Sequence, residues 1–332
     1  MPRKKSRPKP EARPPASVPA SASSQRKESL RSPSSPPPTV SGRWLLTTVS
    51  LSLLGAAACA WGALCLLFWQ GSWQLLYHPT SAVTRTPATV GLRFDSVGFA
   101  ATDAGEPRLE GWWIPAGPEA RFSSYTILYF HGQNGNLGDT VDSLAALHGA
   151  GLNVFAFDYR GYGQSQFARP SEARWREDAE SAIEYLTNTR HIPAGSIVLF
   201  GRGLGANLAL ETASAHPQLA GVVMDDPLPV PVDAIFRDPR ARLVPALLLV
   251  RDRWDLNPPA VNLRIPSLWF YKTPARGQAQ ENGQQTYRLV TARKRQVWLM
   301  ESPDAGAAEN DRSYSLALTG WLDDLSTRTG TP

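Results

Sequence analysis

Cysteine and histidine are scarce in this 332-residue chain, and where they are missing matters more than how few there are. Only Cys59 and Cys65 occur, both inside one apolar stretch. Residues 71–332 therefore carry no disulfide, no cysteine nucleophile and no thiolate metal site. The five histidines are His78, His131, His148, His191 and His216, so the 116 residues after His216 offer no imidazole for proton transfer. Charge is absent from Trp44 to Gln70, which excludes an ordinary solvated helix there. Large apolar side chains are nearly absent from residues 1–43, which excludes a packed core in that segment.

What residues 1–43 do contain is ten Lys/Arg, two acids (Glu11 and Glu28) and ten of the chain's 29 prolines. Such a segment cannot bury enough surface to offset its ordering entropy and is expected to be a disordered tail. The net charge of +5 belongs to it, since residues 44–332 hold 24 basic and 27 acidic residues, a net of −3. No nucleic-acid-binding face is implied. The uncharged run "WLLTTVSLSLLGAAACAWGALCLLFWQ" (44–70) is long enough to cross a bilayer, and Trp44, Trp69 and Trp73 fall where an interfacial belt would lie. It is also longer than the ~7–15 apolar residues of a cleaved signal peptide. Lys and Arg crowd its N-terminal flank, whereas the first charge beyond it is Arg85. The positive-inside bias then predicts a single-pass protein with a cytoplasmic tail and an extracytoplasmic domain over 71–326, with 327–332 a frayed end.

Beyond the span, "LRFDSVGFAAT" (92–102) and "RLEGWWIP" (108–115) read as strands, and from "YTILYF" (125–130) onward apolar runs alternate with helical periodicity. "NVFAFD" (153–158), "SIVLF" (196–200), "AGVVMDD" (220–226), "PSLWFY" (266–271) and "RQVWLM" (295–300) are further strands. Helices are expected near 137–149, over 171–190 with Ser171 as N-cap, from 204 to about 215, and over 311–325. Residues 227–265, rich in Pro and Arg, read as an excursion over the sheet. The alternation predicts an α/β fold with a mostly parallel, doubly wound sheet.

The stretch "LFGRGLGANLAL" (199–210), between a strand and a helix, admits two readings. Gly201, Gly203 and Ala206 fit the dinucleotide fingerprint, and Asp225 lies 22 residues after Gly203, where an acid could meet a ribose hydroxyl. Alternatively the stretch is a nucleophile elbow of the G-x-S-x-G kind with glycine in place of serine. A dinucleotide unit usually opens its fold, yet two strand-loop-helix units precede this one.

Three loops in order, "YFHGQNGN", "DYRGYGQS" and "FGRGLGANLAL", resemble the α/β-hydrolase fold. With "LLYHPT" (75–80), "LEGWWIP" (109–115) and "RDRWDLNPP" (251–259), the chain is similar to the Bem46-like, membrane-anchored branch of the serine hydrolases over residues 70–325. The resemblance implies an oxyanion hole from the backbone N–H groups of Gln133 and Leu204, with His131 a loop-shaping residue. It also implies a Ser–Asp–His triad, and this sequence departs from it three times. Gly203 stands at the nucleophile, Ala275 near the acid, and Glu309, in "GAAEND", where the histidine belongs. Asp225 and Asp226 could supply the acid from the preceding strand end but would still need a histidine. The expectation is a pseudo-hydrolase with no cofactor, tethered through residues 44–70, that binds an acyl, ester or peptide ligand or a protein partner. An active hydrolase using Ser302, Asp304 and Glu309, and nucleotide binding through Gly201–Ala206, are the alternatives.

Overall fold

The computed structural model describes residues 40–101, 105–106, 108–272, 278–299 and 307–329. The chain divides into two compact units, Met1–Ala56 and Ala57–Pro332. The described part of the first unit is the opening of helix α1 (Gly42–Gly71), whose Leu45, Leu46, Leu51, Leu53 and Leu54 are all exposed. The helical stretch Gly42–Leu75 has a mean hydropathy of 2.1 in its most apolar part, long and apolar enough to cross a membrane.

The second unit holds the rest of α1 and the whole sheet. Phe68 is buried there, with Leu64 and Cys65 packed against the same core, so one face of the last turns of α1 meets the folded unit while Trp61, Leu66 and Leu67 stay exposed. The sheet has eight strands: β1 (Asp95–Phe99), β2 (Leu109–Ile114), β3 (Thr126–Phe130), β4 (Asn153–Asp158), β5 (Ile197–Arg202), β6 (Gly221–Asp225), β7 (Ser267–Lys272) and β8 (Lys294–Leu299). Their spatial order is β8-β7-β6-β5-β3-β4-β2-β1. β2 runs antiparallel to both β1 and β4, and all other neighbours are parallel.

The apolar runs are continuous because the central strands are covered on both faces. Along β3, Leu128 and Phe130 enter one core with Phe157, Trp175 and Leu199, while Ile127 and Tyr129 enter the other with Val154, Val198 and Trp321. The alternation is the two-residue period of a strand, and every residue of β3 is buried. Helices α2 (Val141–Gly149), α3 (Glu172–Glu184) and α4 (Leu204–Ala215) follow β3, β4 and β5. Ser171 caps α3 as expected, its hydroxyl accepting from Arg174 N at 3.3 Å.

Two elements differ from the sequence reading. α5 (Gln278–Leu289) was not foreseen, because its sequence "QAQENGQQTYRL" is polar and interrupted by glycine, so no apolar stripe announces it. The closing helix α6 runs over Ala307–Thr329, longer at both ends than the apolar spacing of 311–325 indicates, and takes in part of the segment expected to fray. The excursion 227–265 holds three short helices, Asp233–Phe236, Ala246–Leu249 and Asn257–Asn262, and no strand.

Candidate functional site

Strand order reverses between β3 and β5, since the chain steps from β3 to β4 on one side and from β5 to β6 on the other. The loops at the carboxyl ends of these two strands therefore border the crevice where α/β sheets bind ligands. They are the His131–Asn136 loop and the turn at Arg202–Gly203.

Gly203 sits at φ +57°, ψ −125°, with its N–H donating to Asp225 O at 2.9 Å and its carbonyl accepting from Ala206 N at 3.0 Å. This is a sharp strand-to-helix turn in a conformation costly for residues with a side chain. Its glycine neighbours have a different reason. A Cβ on Gly201 would lie 2.2 Å from Gly205 O, and one on Gly205 would lie 2.3 Å from both Phe130 O and His131 O. Close approach of α4 to β3 and β5 accounts for both glycines without any nucleotide.

The Gln133 side chain reaches across to this turn. Its Oε1 accepts from Leu204 N at 3.3 Å and lies 3.2 Å from where a Cβ on Gly203 would be. The two residues expected to present backbone donors to an oxyanion are thus brought together. One of those donors is taken by the other residue's amide oxygen, a contact that backbone-level sequence reasoning had no means to anticipate.

The loop under Gln133 is held from several directions. Tyr159 and Tyr162 hydroxyls donate to His131 O (3.0 Å) and Gln133 O (2.9 Å). Asn136 donates through Nδ2 to Thr80 Oγ1 (2.7 Å) and Ala82 O (2.9 Å), and Leu137 N donates to Asp158 Oδ1 (2.9 Å). His78 and Pro79 pair in parallel with Asn134 and Gly135, which sets His78, unassigned from sequence, beside this loop with Nδ1 3.0 Å from Asn134 Oδ1.

His131 is fully buried against Tyr159, Tyr162 and Trp175. Burial pushes its pKa down to about 4, so the ring is neutral at pH 7. Its Nδ1 lies 2.8 Å from Gly132 O, a distance for an N–H donor, which leaves Nε2 as a bare acceptor 3.5 Å from Asp158 Oδ1. Burial raises the Asp158 pKa to about 7. Asp225, pushed up to about 6 by burial, stands 3.6 Å from the Arg202 guanidinium, and Asp226 stands 3.6 Å from Lys272 Nζ. Both candidate acids therefore face cations. Among the described residues no hydrogen bond or ion pair joins an imidazole to Gly203, Leu204, Asp225 or Asp226. Ala275, Ser302 and Asp304 lie outside the described residues, and Glu309 falls in the first turn of α6 with its side chain outside them.

Residues 123–292 match the model of the family described as serine aminopeptidase, S33. The chain belongs to this family. The S33 match takes in Gln133, Gly203, Leu204, Asp225 and Ala275 and ends before Glu309. The chain is 30% identical over 174 residues to an uncharacterized protein of Mycobacterium tuberculosis, a match covering 52% of this chain and 60% of that one. It is 33% identical over 111 residues to protein bem46 of Schizosaccharomyces pombe, covering 33% of this chain and 36% of that one. These matches span less than two thirds of the first relative's length and about a third of the second's. In solved structures, the Pyrococcus furiosus esterase Pf2001 is similar at a TM-score of 0.57 with 17% identity, over 76% of this chain and 97% of that one, a likeness of fold. The expected α/β-hydrolase fold is thus the fold of this S33 member, on a mostly parallel sheet.

Proposed function

We propose that the chain is a membrane-anchored, non-catalytic member of its family, in which the elbow keeps its shape and has lost acyl-transfer chemistry. The carrying observation is Gly203 at the elbow with Gln133 Oε1 on the Leu204 N–H. Acyl transfer requires a nucleophile, an imidazole oriented to take its proton, and open donors for the oxyanion. Gly203 has no side chain, the one buried imidazole near the loop is tied to Gly132, and one donor is satisfied internally. What remains suits binding of an acyl, ester or peptide ligand, or of a protein partner, with α1 concentrating the domain at a membrane. In this reading the Lys/Arg-rich tail is cytoplasmic and the folded unit is on the other side.

The family description and the esterase among the solved structures favour a second reading, an active hydrolase with an unorthodox site such as Ser302, Asp304 and Glu309. One experiment separates them. The full chain, purified in mild detergent, is treated with a fluorophosphonate probe and with short acyl esters. No covalent labelling and hydrolysis at the buffer rate are the expected results. Stoichiometric labelling overturns the non-catalytic reading.

A further inference from the structure

Where α1 ends, the folded unit surrounds a cavity of about 480 Å³ that Gly203, Leu204 and Gln133 do not line. Trp69, Ser72 and Trp73 form one wall and Arg169, Arg174 and Arg251 supply cations, with Asp252 the single acid. The three guanidinium groups are held to their surroundings without carboxylates. Arg169 donates to Trp69 O at 3.0 Å and lies 5.8 Å from the Trp73 ring, Arg174 donates to Arg169 O at 3.0 Å, and Arg251 lies 5.8 Å from the Trp69 ring. None of the three makes a salt bridge among the described residues, and Asp252 is engaged by the Tyr77 hydroxyl at 2.7 Å. The lining residues therefore carry a net charge of +2. Burial holds the Arg169 pKa below its ordinary value; Asp252 opposes that shift, and the like charge of Arg174 adds to it.

The depth of this cavity follows from one contact. Trp61 Nε1 donates to Leu243 O at 3.0 Å. A hydrocarbon core takes ~20 helical residues, and every 20-residue window between Trp44 and Gln70 contains Trp61. Leu243 thus lies level with acyl chains, and around it Leu243, Leu247 and Leu248 are 61%, 66% and 82% exposed, an apolar patch with no reason to face water. The cavity wall at Trp69 is eight residues further along α1, about 12 Å toward the headgroups.

From this geometry we infer that the cavity is a site for the phosphate headgroup of an anionic phospholipid, whose acyl chains lie over Leu243, Leu247 and Leu248. Guanidinium forks match phosphate oxygens, the two tryptophans suit the glycerol level, and the leucines continue the site into the bilayer. The inference rests on the reading of α1 as a span.

The full chain is expressed in membranes containing phosphatidylglycerol and phosphatidylcholine and purified in mild detergent, and its retained phospholipids are quantified by mass spectrometry. Wild type is expected to retain phosphatidylglycerol with enrichment of about tenfold or more over phosphatidylcholine, a preference that the Arg174→Gln/Arg251→Gln variant loses. Arg93→Gln, at an exposed residue outside the cavity, keeps the enrichment. The melting temperature of each variant guards against unfolding, and Arg251→Lys, which retains the charge, should restore part of the preference. Equal retention by the double variant, or no preference in wild type, overturns the site. Displacement of the lipid by glycerol 3-phosphate overturns a lipid source in favour of a soluble phosphate ester. Alkaline carbonate extraction of the same membranes reads the span separately: release of wild type defeats the anchor, whereas arginine-dependent retention in detergent is unaffected by that result.

Discussion

Replacing Gly203 by serine restores the residue type that the elbow pattern calls for, and the structure sets what that replacement costs. At φ +57°, ψ −125° any residue with a Cβ is strained, by about 1–3 kcal/mol. The new Cβ also stands 3.2 Å from Gln133 Oε1, tighter than an ordinary contact, so the amide must withdraw by a few tenths of an ångström and weaken its bond to Leu204 N. For a domain of this size each kcal/mol lowers the melting temperature by roughly 2–4 °C, which predicts a fall of about 2–12 °C for Gly203→Ser. Adding Gln133→Ala removes the close contact and leaves the backbone strain, so the double variant should lose less than the sum of the two single losses. Thermal unfolding of the detergent-solubilised chain, followed by circular dichroism, measures both effects. Neither variant should hydrolyse 4-nitrophenyl acetate above the buffer rate, because no imidazole is placed to deprotonate the hydroxyl. A wild-type melting temperature for Gly203→Ser refutes the strain argument. Covalent labelling of that variant by a fluorophosphonate shows instead that a base is present.

Three further outcomes follow from buried groups. Asp158, with a folded pKa near 7 against 3.8 unfolded, gives stability that is full below pH 3.8 and lost as pH rises through 7. Asp158→Asn, which can donate to the bare His131 Nε2, should gain on wild type by about 3 kcal/mol between pH 4.5 and pH 8, and a pH-independent difference in unfolding free energy would contradict this. Gly205→Ala drives a methyl into two carbonyls at 2.3 Å and should cost 3 kcal/mol or more, roughly the upper end of overpacking, read as loss of soluble folded protein or a large drop in denaturation midpoint. Asp178→Ala removes the buried acceptor of the Arg160 Nε and backbone N–H groups, at 2.5 and 2.9 Å, while Glu177 still holds the guanidinium at 2.6 Å, a loss of about 1–3 kcal/mol in the same denaturation assay.

Much of the fold could be read from the chain because local signals agreed with one another. Strand β4 coincides with "NVFAFD", Ser171 is the cap of α3, and α4 ends at Ala215 as its apolar spacing indicates. The signals fail where structure is decided by tertiary contact. Nothing in "QAQENGQQTYRL" marks a helix, and nothing in the uncharged run tells that Leu64, Cys65 and Phe68 turn toward a protein core, since lipid and core are equally apolar. At the site, the positions of Gly203, Gln133 and Leu204 on their loops were legible from glycine spacing and motif order. The direction of the Gln133 amide was not, because it depends on how two loops 71 residues apart meet. The pairing of Asp225 with Arg202 and of Asp226 with Lys272 had the same origin, in the register of three neighbouring strands.

The tyrosines and Asn136 that hold the His131–Asn136 loop bond to its backbone carbonyls and its neighbours, never to the residue at 203. Shape and reactivity therefore rest on separate sets of atoms. The turn at 203 is itself held by backbone groups, its N–H on Asp225 O and its carbonyl on Ala206 N, so no side chain at 203 is needed to keep it in place. The same independence leaves the backbone outline silent about what stands at position 203. Two relatives, one with a reactive side chain at this corner and one without, would share the same silhouette.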